Sequence, residues 1–372
     1  MSAKPKILVT GATGRTGAPT VQYLLENGFP VRAFVHRLDA RSDALRKLGA
    51  EIFVGDVLSF DDVSRALDGV QRAYYCPILT SSLLHASTVF AMAAEARKLE
   101  VVALLSQWHP NPTDPSVVTR EHWLTNNLFR WMPSVDVIHV NPGLFAFIYM
   151  LALPVTVNMG LLPLPFGDGK NAPPSNEDIA LVAATVLMNP APHLGKSYRP
   201  TGPKLLSPQD IAGIFGKILD RKVKYQDVSL PSFTKAARAQ GISPFEISQI
   251  AYYADDLRNG SFAIGAPTSH FEEVTGKPAE DFESTARRYF SNPALIDPRL
   301  KVPGLLGTLG FVTKMLMTPA LYTDAFQRER GIPMLDKPVP AYENPEWRAS
   351  AERQKLHFIE RNYRPIQTRM AS

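Results

Sequence analysis

The chain has 372 residues, more than one commonly sized core needs, and 45% of them are hydrophobic, which excludes a chain too polar to fold. Its formal charge is +5, but residues 291–372 hold 12 Lys and Arg against 8 Asp and Glu, so the rest is nearly neutral. No Lys/Arg stripe interleaved with aromatics is present, and a nucleic-acid partner is not expected.

From residue 6 to about 140, short apolar runs alternate with amphipathic windows. The runs predict strands over 7–10, 31–36, 51–54, 73–76, 101–106 and 135–140, and the windows predict helices over 16–27, 41–48, 60–67, 83–99 and 118–131. This alternation predicts a Rossmann-like α/β fold with a doubly wound parallel sheet, whose strands are apolar throughout because helices cover both faces. Past Asn141 prolines and glycines become dense. Helical windows over 176–189, 207–219, 231–240 and 244–258 then predict a smaller, mostly helical region. The expected organisation is a nucleotide-binding domain over 1–150, a substrate-binding region over 151–290 with interleaving of strands allowed, and a C-terminal extension over 291–372 with a final helix at 345–360.

A single cysteine, Cys76, leaves no internal disulfide framework and fits a reducing, cytoplasmic setting. The opening MSAKPKILVTG lacks the apolar run of a signal peptide. The apolar stretches 149–166 and 302–320 are broken by proline and glycine, so no transmembrane segment is expected, although surface association through the second stays open.

The strongest motif is ILVTGATGRTG at residues 7–17, in which Gly11, Gly14 and Gly17 follow a strand and open a helix. The first glycine suits a tight turn, the second removes a Cβ from the path of a pyrophosphate, and the third lets the helix pack on the sheet. Free N–H groups at the helix start then meet the phosphates, with Thr13, Arg15 and Thr16 in the same loop. Cofactor choice is read at the second strand's tip, where a carboxylate suits NAD(H) and a cation suits NADP(H). That tip reads Val35-His36-Arg37, so Arg15 and Arg37 could clamp a 2′-phosphate, and NADP(H) is favoured over NAD(H). Asp39 is the counter-indication. Asp56, with Val57, follows the third strand and could meet the adenine or simply cap a turn. Cys76-Pro77 ends the fourth strand on the dinucleotide path, with an inert buried thiol as the simpler reading of Cys76.

GATGRTG, GDV (55–57), NPGLF (141–145), FGDGK (166–170), NEDIA (176–180), TGPKLLSPQDIA (201–212) and PAEDFE (278–283), in this order, resemble NmrA-like proteins, an atypical branch of the short-chain dehydrogenase superfamily. The resemblance covers roughly residues 5–290. It implies a Rossmann domain that binds NADP(H), with Ser106 at the strand-end serine position, and a small C-terminal substrate region. It leaves two functions open: reductases of quinones, dyes and related aromatics, and non-catalytic sensors of the cofactor's redox state. The extension lies outside the pattern.

Ordinary short-chain dehydrogenases pass a proton through a Tyr-x-x-x-Lys pair. No tyrosine here has a lysine four residues later, and no lysine occurs between Lys98 and Lys170. The expected fifth helix offers Arg120, Glu121, His122 and Trp123 instead. Helical geometry spreads these around the axis, and Leu124, Leu128 and Trp131 are expected to mark its core side. His122 is the candidate proton donor, against a structural histidine. Trp123 is a candidate pocket wall, against core packing. Gln107 and Trp108 end the fifth strand, His109 is expected to be an exposed loop residue, and Trp108, Phe145, Phe147 and Tyr149 suggest an aromatic-walled pocket, with core packing as the equal alternative. Histidine and cysteine spacing suggests no metal. The expected activity is an NADPH-dependent reductase of a small aromatic, quinone-like or carbonyl substrate; the alternative is a non-catalytic NADP(H) sensor acting through a protein partner, with homo-oligomers also open.

Overall fold

The computed structural model describes residues 4–292 and 304–353. β1 (Ile7–Val9), α1 (Gly17–Glu26), β2 (Val31–Val35), α2 (Ala40–Lys47), β3 (Glu51–Val54), α3 (Phe60–Ala66), β4 (Arg72–Tyr75), α4 (Leu83–Ala96), β5 (Val101–Leu105), α5 (Val117–Arg130) and β6 (Asp136–Val140) alternate as the apolar runs predict. Then follow α6 (Leu153–Met159), β7 (Leu161–Leu164), α7 (Asn176–Met188), β8 (Ser197–Tyr198), α8 (Pro208–Ile218), β9 (Lys224–Asp227), α9 (Leu230–Ala239), α10 (Pro244–Arg258), α11 (His270–Thr275) and α12 (Phe282–Ser291). The extension contributes α13 (Leu305–Met317), α14 (Thr323–Glu329) and α15 (Pro345–Arg353); the remainder of the helix expected over 345–360 lies outside the described residues.

Seven parallel strands form one sheet in the order β3-β2-β1-β4-β5-β6-β8. The fold is therefore a Rossmann-like, doubly wound α/β sheet with a helical C-terminal region. Strand order reverses between β1 and β4, and that switch point is where such sheets bind ligands, beyond the strands' carboxyl ends. The helices begin where the sequence supplies acceptors for orphan N–H groups. Ser59, Ser116, Ser175, Ser207 and Ser243 each accept a backbone bond from the third residue into their helix, at about 1 kcal/mol apiece.

One core packs α1 and α7 on the sheet through Val9, Val21, Ile179 and Val186, and another packs α3, α4 and α5 on the opposite face through Val63, Phe90 and Phe129. The chain thus returns to the sheet after leaving it: α7 covers one face, and β8 pairs with β6. Its second region also holds a small parallel pair, β7 with β9. A third core joins Trp108, Tyr149, Phe166, Phe215 and Leu257 to Trp347 of the extension.

The extension is docked by specific bonds. Val339 N donates to Thr113 O (2.7 Å), Asn111 Nδ2 donates to Val339 O (2.9 Å), Tyr342 Oη donates to Asp255 (2.7 Å), and Arg120 donates to Pro333 O. α13 lies on α6 and α9 with Phe311, Val312 and Met315 turned inward, while Leu306 (85% exposed) and Met317 (82%) face out. No helix among the described residues is long and apolar enough to cross a membrane.

Candidate functional site

The glycine loop closes on itself at the switch point. Gly11 takes a left-handed φ of 57°, and Gly14 N donates to Gly11 O at 2.8 Å. A Cβ on Gly14 would stand 2.9 Å from that oxygen, and one on Gly17 only 2.1 Å, so neither position admits a side chain without movement. The loop is also locked to the tip of β4: Cys76 N donates to Thr10 Oγ1 (2.8 Å), Tyr74 Oη donates to buried Thr16 Oγ1 (3.0 Å), and a Cβ on Gly11 would lie 3.4 Å from Cys76 Cβ. Gly11 and Gly14 remain exposed, with Thr13 half-buried between them. A pyrophosphate fits this cradle: its surface is open, no Cβ fills it, and it leads into the N-terminus of the ten-residue α1. Cys76 is half-buried, and desolvation pushes its thiol up to about 11, which disfavours the thiolate.

At the tip of β2, His36 and Arg37 are exposed. Asp39 is occupied elsewhere: it caps α2 through the N–H groups of Arg41 and Ser42 and accepts from Arg41 Nη2 at 2.6 Å. The Arg41 hydrogen bond is the main cause of its carboxyl falling to about 2. Arg37 Nε stands 3.9 Å from the same carboxylate. Arg15 has a different neighbour, its guanidinium carbon lying 4.2 Å from the Phe147 ring centroid. Asp56 is half-buried beside Val57 and accepts from Leu58 N (2.9 Å), which is the turn geometry anticipated as its simpler role.

Beside this cradle opens a cavity of about 230 Å³. Pro77 and Ser106 come from strand tips; Gln107, Trp108 and His109 from the turn after β5; Phe145 and Phe147 from the segment after β6; Tyr253 from α10. Arg15 reaches it from the glycine loop, and His122 from α5. Two carboxamides fix the walls. Asn141 Nδ2 donates to Gln107 O (2.8 Å), and Asn171 Nδ2 donates to Leu144 O (2.6 Å). Ser106 Oγ, Gln107 Oε1 and His122 Nδ1 are buried with no hydrogen-bond partner among the described residues, the polar complement expected in a small-molecule site.

The two histidines in this wall differ in charge. Burial pushes His122 down to about 3, so its ring is neutral. Burial also works against a proton on His109, but Asp256, whose Oδ2 lies 2.7 Å from His109 Nε2, outweighs it and the pKa ends raised. His109 is buried, contrary to the expected exposed loop, because the turn after β5 is roofed by the helical region and the extension. Phe262, Tyr253 and Trp347 pack edge-on to its ring. Asp114 completes a buried group with His109 and Asp256, all three offering ligand-capable atoms within 4.8 Å of one another. Burial and Asp256 push the Asp114 carboxyl up. Local spacing gave no sign of this convergence, since Asp256 lies 147 residues from His109.

Other expectations need correction. Tyr149 is fully buried against Phe166 and Phe282 and belongs to the core, because the 3-10 turn at Ala146–Ala152 carries it away from the cavity wall. Trp123 is half-buried on α5 and does not line the cavity. Leu124 and Trp131 are exposed; the helix buries Val118, His122, Thr125 and Phe129 instead. Tyr253, Phe262 and Glu246, which line the cavity from the helical region, were not legible as site residues.

The class defined by this fold and site is a Rossmann-type α/β protein with a phosphate cradle and an adjoining aromatic cavity. Residues 3–100 match the NmrA-like family, which bears out the resemblance read from the motifs. Over 290 residues the chain is 26% identical to the NAD(P)H azoreductase of Xenophilus azovorans, covering 76% of this chain and 97% of that protein. Over 284 residues it is 26% identical to quinone oxidoreductase 2 of Escherichia coli, covering 72% and 96%. The crystal structure of an NADPH-dependent quinone oxidoreductase from Escherichia coli with NADPH shares the fold at a TM-score of 0.68 and 22% identity, over 77% of this chain and all of that one.

Proposed function

We propose that the protein is an NADPH-dependent reductase of a planar aromatic or quinone-like acceptor. The observation that carries this reading is the aromatic-walled cavity opening beside the Cβ-free cradle, with Arg15 of the glycine loop shared between them. The similarity to an azoreductase and a quinone oxidoreductase supports it.

Reduction of such an acceptor needs a hydride and a proton. The nicotinamide supplies the hydride when bound, which removes the need for a Tyr-Lys pair provided the acceptor is held in place. Gly11, Gly14 and Gly17 shape the phosphate cradle with Thr13 and Thr16, while His36, Asp56, Val57, Cys76, Pro77 and Ser106 edge the dinucleotide path. Trp108, Phe145 and Phe147 hold the ring, and Gln107 orients its oxygen. His122, neutral at the cavity wall, donates a hydrogen bond to that oxygen rather than acting as a charged acid, and the proton that completes the reduction comes from solvent water. Preference for the 2′-phosphate rests on Arg37, since Asp39 is committed to the α2 cap.

The test is to titrate purified protein with NADPH and NADH, then follow NADPH consumption with a panel of quinones and azo dyes. Consumption with at least one acceptor is expected. Tight NADPH binding with no consumption across the panel would replace this reading with the redox-sensor alternative.

A further inference from the structure

A second cavity, about 310 Å³, lies against the first. Leu151 and Ile242 line both, so the two spaces share a wall of aliphatic side chains. Among the described residues, no ionisable side chain lines the second cavity. Its polar contributors are Gln226, Ser232 and Gln240, of which Gln240 Nε2 already donates to Leu151 O (3.3 Å) and Ser232 Oγ is bonded to Ser229 Oγ (3.0 Å). The remaining surface comes from α6, β7 and α9 on one side and from Phe311, Val312 and Met315 of α13 on the other. Relatives covered almost end to end leave roughly a quarter of this chain without a counterpart.

We propose that the second cavity is a binding site for the aliphatic tail of an amphiphilic acceptor whose ring occupies the first cavity. This rests on the reductase reading and adds a substrate class to it: ring compounds bearing an unbranched or prenyl-type hydrocarbon chain. The argument is one of chemistry and continuity. A cavity with no charged lining among the described residues and a mostly apolar wall favours an apolar ligand, and each methylene taken from water into it adds about 0.8 kcal/mol of transfer free energy. A ring held by Trp108, Phe145 and Phe147 occupies a cavity that Leu151 and Ile242 also line, so a chain attached to it enters the second space without a separate association event. Rotation of those two side chains opens the wall, a motion available to aliphatic groups at a cavity surface.

The experiment compares a benzoquinone carrying a decyl chain with the same ring lacking it, in the wild type and in Val312→Trp, with Ala236→Phe as an independent plug from the α9 side. The wild type is expected to favour the chained quinone in kcat/KM by about tenfold or more, a factor that two buried methylenes suffice to supply. Both variants are expected to remove that preference while turning over the tailless quinone at the wild-type rate, which also shows that they fold. Equal treatment of the two quinones by the wild type, or equal losses on both in the variants, overturns the proposal. Calorimetric binding of the chained quinone to the cofactor-saturated protein separates this outcome from failure of the reductase reading. Binding weakened by Val312→Trp supports the tail site even if no acceptor is reduced, and binding untouched by it overturns the site even if reduction proceeds.

Discussion

Arg15 and Arg37 are alike in type but differ in surroundings, and the difference has a measurable consequence. Arg37 is solvent-exposed at the tip of β2, with no closer contact to the carboxylate beside it than 3.9 Å, whereas Arg15 stacks on Phe147 in the cavity wall. Loss of a charged hydrogen bond to phosphate costs about tenfold in affinity or more. Arg37→Ala is therefore expected to weaken NADPH by at least about that factor and leave NADH nearly unchanged, while Arg15→Ala is expected to raise the acceptor's KM more than it weakens either cofactor. Fluorescence titration with both cofactors, followed by steady-state kinetics, separates the two. Equal losses of NADPH and NADH in Arg37→Ala would reject the phosphate role. In the same titration Gly14→Val is expected to abolish cofactor binding, because its Cβ meets Gly11 O at 2.9 Å before any ligand arrives. Retained affinity there would remove the cradle from this loop.

Elements were legible where one physical signal dominated. Apart from the exposed edge strand β3, the strands β1 to β6 are largely buried, and their apolar runs located all six to within a residue or two. β7 and β9 gave no such signal: Leu161–Leu164 contains a proline and Lys224–Asp227 is polar, because the pair forms a small separate sheet. β8 is two residues long and visible only through its pairing with β6. For α5 the signal misled. Apolar Leu124, Leu128 and Trp131 suggested the inner face, and Leu128 does pack against the core beside Phe129, but Leu124 and Trp131 are exposed: the helix borders a cavity and a buried polar group, so it turns His122, Thr125 and Asn126 inward together with Val118 and Phe129. From the same helix, the cavity histidine was therefore found and the core side only at Leu128. Phe129→Ala, which empties a site packed against the stacked Tyr75 and Phe90, is expected to lower stability by about 3–5 kcal/mol, whereas Trp131→Ser is expected to change it by no more than about 0.5 kcal/mol. Urea denaturation of the two variants decides between this face and the one suggested by apolarity; a larger loss for Trp131→Ser would restore the latter.

Across the whole molecule, the helical region and the extension bury titratable groups that a bare Rossmann sheet would leave in water, and this sets the pH dependence of stability. Burial raises Glu121 to about 7 and Asp178 to about 6, and raises Asp114 with help from Asp256. A carboxyl with a raised native pKa binds its proton more tightly when folded. Its contribution is present at low pH and is lost as pH climbs from the unfolded value, about 4, through the native one. His109, raised through its contact with Asp256, extends the loss upward from its unfolded value of about 6.5. His122 has the opposite sign: kept neutral by burial, it contributes above about 6.5 and loses that contribution as pH falls toward about 3. Its gain is therefore nearly complete where the losses from His109, Asp114 and Glu121 are still accumulating. The thermal midpoint is expected to fall between about pH 6 and pH 8 rather than hold a neutral plateau. Asp114→Asn keeps the side chain that accepts the Ser116 N–H but cannot ionise, and with Glu121→Gln it should flatten this decline while leaving the acid limb in place. Scanning calorimetry of the wild type and the double variant across that range is the measurement. A wild-type midpoint that rises toward pH 8, or a double variant with the wild-type slope, would show that these buried carboxyls do not govern the alkaline side.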